Sequence, residues 1–195
     1  MFIFSLVSTV ILVSAVGFAS AGDICTYTSR SCIGSYGCCY GIAQNTCCYW
    51  PSNYGWSVKF QNMPMTSTWL GTTYGDSICS TQTGGIGSSS GSACKCRGSL
   101  RLFIVLTQTF LKKGASVYNG PTYLAWKSGK WNAGTGARRD LGTRDNATCV
   151  QPNVIGFTTE DGKEHLVKVP EGQFDEVNEW VKTDDFSKLL ELDSV

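Results

Sequence analysis

Alternation of apolar and polar side chains marks a half-buried strand, and it recurs through the middle of this chain. Residues 57–60, Ser-Val-Lys-Phe, alternate, and residues 67–74 are rich in Thr and aromatic side chains; both predict strands. Residues 100–110, LRLFIVLTQTF, are β-branched and aromatic and predict a buried strand. Residues 115–118 and 122–126 flank Asn119-Gly120, a hairpin signal that Pro121 weakens. The Gly/Ser-rich stretch 80–93, STQTGGIGSSSGSA, reads as a mobile loop.

The pattern changes near the C-terminus. Residues 154–160 and 163–169 lie either side of Asp161-Gly162, which predicts a hairpin closed by a type I′ turn. After Pro170, the residues Phe174, Val177, Trp180 and Val181 recur at helical spacing. Glu171, Asp175 and Glu176 fall in the early turns, where the helix dipole favours acids. Thr183 is placed to cap a second short helix with an apolar face of Phe186, Leu189 and Leu190.

At the other end, residues 2–18 form an uncharged apolar run followed by Ala19-Ser20-Ala21, a small-x-small cleavage pattern. Residues 1–21 are therefore expected to be a signal peptide, leaving Gly22 as the mature N-terminus and a secreted, extracellular protein. The cysteines agree with export. They are Cys25, Cys32, Cys38, Cys39, Cys47, Cys48, Cys79, Cys94, Cys96 and Cys149, an even number expected to form disulfides. The connectivity stays open. Nine of them lie in residues 25–96, so complete internal pairing requires a bridge from that region to Cys149. The doublets and Cys94-Lys95-Cys96 lack the repeated C-x₂-C spacing of structural zinc sites, so no metal site is expected.

Charge divides the chain in a way the net of +1 hides. Residues 22–144 carry 12 bases and 3 acids, whereas residues 145–195 carry 4 bases and 12 acids. The border is Gly- and Arg-rich. The expected organisation is a cysteine-rich β domain over 22–127, a loop or linker over 128–148, and an acidic hairpin-helix segment over 149–195 docked on the β domain. Asn146-Ala147-Thr148 is an N-glycosylation sequon that puts Asn146 on the surface.

Catalytic patterns fare poorly. Gly87-Ser88-Ser89-Ser90-Gly91 matches G-x-S-x-G but lies in a Ser/Gly tract, not between a strand and a helix. The one histidine, His165, sits on the distant hairpin and reads as a strand residue facing water or a cross-strand neighbour. Asp23, Asp76 and Asp140 are the only acids of the basic part, which is thin for the carboxylate pair of a glycosidase. Lys112-Lys113 and Arg138-Arg139 read as solvated loop charges, with no nucleic-acid module around them. Tyr49, Trp50, Tyr54 and Trp56 offer four rings in eight residues, a candidate stacking platform for sugar rings or, alternatively, part of the core.

Cys32-x₅-Cys38-Cys39, Cys47-Cys48, GWSVKFQNMP ending at Pro64 and TTYGDSIC ending at Cys79 together resemble the small secreted cysteine-rich proteins of mushroom-forming fungi. The resemblance covers about residues 25–96 and implies export and a β-rich scaffold. The expected fold class is α+β and β-rich: a disulfide-stabilised, β-sandwich-like N-terminal part with a C-terminal β-hairpin plus helix segment. The expected function is that of a secreted binding or effector-type protein without a catalytic site or cofactor. Its partner is expected to be extracellular, a glycan or a host or cell-surface protein, not nucleic acid, and no membrane span is expected after signal removal. The alternatives are a carbohydrate-binding protein for a cell-wall glycan and a divergent cell-wall glycoside hydrolase.

Overall fold

The computed structural model describes residues 21–51, 53–65, 67–96, 126–133 and 149–195. Eleven strands among them form two sheets. The larger contains β1 (Ala21–Tyr27), β2 (Tyr36–Ala43), β4 (Ser57–Gln61), β7 (Ala93–Cys96), β10 (Val154–Thr158) and β11 (Glu164–Lys168), in the order β11-β10-β2-β1-β4-β7. The smaller contains β3 (Cys47–Tyr49), β5 (Trp69–Tyr74), β6 (Gln82–Ser88), β8 (Ser128–Ala133) and β9 (Cys149–Val150), in the order β6-β5-β8-β3-β9. Every pair is antiparallel except β3 with β9.

The sheets share one core. Ile24, Val58 and Phe60 from the larger sheet and Trp69 and Trp131 from the smaller one belong to the same buried cluster. The Phe60 and Trp69 rings lie 5.8 Å apart. Trp131 Nε1 donates to the Ile42 carbonyl at 3.2 Å, so this buried indole also has its polar atom satisfied. Gly71 is needed under this cluster, because a Cβ there would fall 2.6 Å from the Phe60 ring.

The C-terminal segment is more than a docked appendage. β10 pairs with β2 through Val154↔Cys38 and Gly156↔Tyr36, and so continues the larger sheet. Helix α1 (Phe174–Lys182) then buries Phe174, Val177, Asn178 and Val181. Its buried apolar residues, together with Leu189 of α2 (Phe186–Leu189), extend the same core. The chain end returns to β11, where Val167 bridges Ser194. Among the described residues, no helix is long and apolar enough to cross a membrane.

Several expectations change. Residues 82–88 and 93–96 are strands, not a mobile loop. Tertiary pairing overrides composition here: β6 adds to β5 from Trp69↔Ser88 to Tyr74↔Gln82, and Gly84 lies under Thr73, where a Cβ would be 2.8 Å from Oγ1. Residues 128–133 of the expected linker form β8, with Trp131 buried at its centre. The Gly/Arg-rich residues that follow disguised that local alternation. The hairpin at 154–168 is present, but only Gly162 takes positive φ (80°), so the turn is not type I′. Gly162 N–H donates to the Thr159 carbonyl, a tight turn followed by a left-handed glycine. Thr183 ends α1 instead of starting α2: its Oγ1 donates to the Glu179 carbonyl, and Asp185 precedes α2. Leu190 is exposed rather than part of that helix's apolar face. The strand expected at 100–110, the hairpin around Asn119-Gly120, Lys112-Lys113, Arg138-Arg139, Asn146 and the leader over 1–20 lie outside the described residues.

Candidate functional site

The four aromatic residues that offered either a stacking platform or part of the core separate by burial. Trp50 is 2% exposed, and its Nε1 donates to the Trp126 carbonyl at 2.6 Å. Gly55 makes room for this contact at φ 87°, since a Cβ there would fall 2.0 Å from the Trp126 carbonyl oxygen. Tyr54 is fully buried, 6.3 Å from the Phe174 ring, and burial raises its phenol well above the ordinary value. Tyr49 is half-buried. Only Trp56 is exposed, at 36%, and the Arg30 guanidinium lies over its ring at 5.7 Å. The four rings therefore form no common face. The reason is spacing: Trp50 and Tyr54 are the anchors that close the loop between β3 and β4 onto the core.

Cysteine pairing builds a second feature. Cys25–Cys38, Cys32–Cys94, Cys39–Cys48 and Cys47–Cys79 are bridged. Consecutive cysteines on a strand point to opposite faces. Accordingly Cys38 stays on the outer face of the larger sheet with Cys25, whereas Cys39 crosses the core to Cys48 of the smaller sheet. Cys96 and Cys149 lie outside these four bridges. Parallel pairing of β9 with β3 sets Cys149 opposite Cys47, where it packs against Cys47 and Cys79, which are bonded to each other. Burial, and then the nearby Asp76 carboxylate, raise the Cys149 thiol.

The Cys32–Cys94 bridge pins the loop of residues 28–35 across the outer face of the larger sheet. Ser57 supports it on both sides: its Oγ donates to the Ser29 carbonyl at 2.8 Å and accepts the Cys32 N–H at 2.9 Å. Ser29 Oγ donates to the Ile33 carbonyl, tightening the tip. Ile33 projects there at 65% exposure, close in sequence to Arg30 over Trp56. An exposed aliphatic side chain and a guanidinium thus belong to one covalently held loop, and the guanidinium lies over an exposed indole. Sequence reading did not single out Arg30 or Ile33, because neither belongs to a periodic or motif-like pattern. Beside the loop, Tyr27 and Tyr36 cover the outer face with rings 4.8 Å apart. Burial, and then the Glu164 carboxylate, push the Tyr27 phenol up to about 12.

The remaining polar sites are structural in form. His165 lies opposite Phe157 across the hairpin and stacks on it at 5.4 Å, as a strand residue facing a cross-strand neighbour. Ser88 and Ser90 of the G-x-S-x-G match bond to each other at the end of β6. Asp76 Oδ1 accepts the Ile78 and Ser80 N–H groups, and Oδ2 accepts Ser80 Oγ and the Thr81 N–H. Its partial burial favours the neutral form, but these bonds outweigh that and hold the carboxyl at about 2. Asp23 is buried, accepting from the Gly41 N–H and Asn62 Nδ2. Among the described residues, no group of three or more His, Cys, Asp or Glu side chains could hold a metal ion.

No curated protein and no solved structure matches the chain. A family model described as the ARB_05566_N N-terminal domain matches residues 23–153. The matched stretch begins within β1 and ends just before β10, so it stops short of the hairpin and helices. Covering more than half of the sequence, it makes this chain a member of the ARB_05566_N N-terminal domain family.

Proposed function

We propose that this chain is an exported, disulfide-stabilised binding protein of the effector type, whose recognition surface is the end formed by Arg30, Ile33 and Trp56. The observation that carries the reading is that these three side chains sit on or against a loop fastened by Cys32–Cys94 and by Ser57. Such fastening removes much of the entropy cost of ordering a loop on binding. Aromatic and Arg side chains are enriched at protein–protein contacts, and their exposure beside Ile33 suits an extracellular protein with apolar and acidic side chains. A glycan is a poorer fit, since Arg30 already lies over the Trp56 ring. Export is supported by the apolar run over residues 2–18, by Ala19-Ser20-Ala21 and by four disulfides in the fold.

The test has two parts. The full chain, expressed in a secreting host, should appear in the medium with Gly22 as its N-terminus. The purified protein should then be retained by surface proteins on intact cells, with I33D and W56A each weakening retention about tenfold while both variants stay folded. It should not be retained on insoluble glucan or chitin, and should release no reducing sugar from them. Retention on glycan that survives protease treatment of the cells, or retention unaffected by I33D and W56A, overturns the reading.

A further inference from the structure

We propose that Cys32 has two interchangeable partners on β7, Cys94 and Cys96, connected by thiol–disulfide exchange at the edge of the larger sheet. Residues two apart on a strand face the same side, so both sulfurs emerge on the outer face. The cross-strand register makes Cys94 the partner of Lys59 and Cys96 the partner of Ser57. Cys32 is bonded to Cys94, yet its backbone N–H is held by Ser57 Oγ at 2.9 Å, in the row of Cys96. Cys32 therefore reaches over both rows. Cys96 is exposed, and its sulfur lies 3.7 Å from the Cys94 sulfur, in contact with the bridge.

The exchange balances without any oxidant. The Cys96 thiolate attacks Cys32 Sγ, the Cys32–Cys96 bond forms, and the Cys32–Cys94 bond breaks. Cys94 leaves as a thiolate and takes up the proton that Cys96 released. Lys59, directly opposite Cys94 on the same face, favours that leaving thiolate. The Cys32–Cys94 bridge spans a sequence separation of 62, and its alternative spans only two residues more, so loop closure does not discriminate between them. Loop 28–35 stays latched in either state.

The purified wild-type protein, held at pH 8.5 and then treated with N-ethylmaleimide, reports the position of the thiol. Trypsin cleavage after Lys95 separates the two cysteines for mass spectrometry. Maleimide is expected on both Cys94 and Cys96, the minor product within about tenfold of the major one. In C94A, Cys32 should bridge to Cys96; in C96A, the Cys32–Cys94 bridge should persist. Wild-type label confined to Cys96 overturns the proposal, as does a folded C94A protein in which Cys32 and Cys96 are both labelled. The wild-type result stands alone should C94A fail to fold.

Discussion

Gly156 on β10 lies directly beneath the ring of Tyr36 on β2, where a methyl group would fall 2.1 Å from Cζ. The ring lies flat over the strand, and its hydroxyl donates to Glu164 Oε1 at 2.7 Å. Burial, and then this hydrogen bond, raise the Tyr36 phenol well above its ordinary value. One glycine thereby lets a tyrosine of β2 span β10 and reach β11. Gly156→Ala should displace the ring and cost about 1–3 kcal/mol, as overpacking does. Thermal melting checks this, with loss of the fluorescence signature of the buried tyrosines as a second readout.

Trp50 and Trp56 should respond in opposite ways to the same substitution. Trp50→Ala removes a buried ring and its bond to Trp126, at a cost of about 3–5 kcal/mol. Trp56→Ala removes an exposed ring and a surface cation–π contact, at a cost of about 0.5–1 kcal/mol. Denaturant titration of the two variants separates them.

Asp76 should contribute to an acid limb of stability. Its carboxyl is lowered to about 2 from 3.8, so the stabilisation is complete above the ordinary value and is lost as pH falls through about 2. Asp76→Asn should flatten the stability–pH curve between about pH 4 and 2. The group is only partly buried, which discounts the effect, and the neutral-pH loss for Asp76→Ala should be about 1–2 kcal/mol. Melting curves across that pH range provide the measurement.

Gly162 should resist substitution for a backbone reason alone. Nothing would touch a Cβ there, but its φ of 80° is left-handed. Gly162→Ala should cost about 1–2 kcal/mol, whereas Gly162→Asn should cost less. Equal melting points for Ala and Asn would show that the turn relaxes instead.

Side-chain order along the chain was enough to determine the strand at 57–61, the hairpin around Gly162 and the helix from Phe174, because each rests on local periodicity or turn chemistry. The tertiary structure alone decided the rest. β6 and β8 exist because neighbouring strands pair with residues whose own propensity is weak. Trp50 and Trp56 have the same chemistry and nearly the same address, and only the path of the chain over Trp126 buries one and exposes the other. Cys32 likewise gained its partner from distance in space: a separation of 62 residues carries no local signal, whereas a loop laid across Ser57 brings its sulfur onto β7.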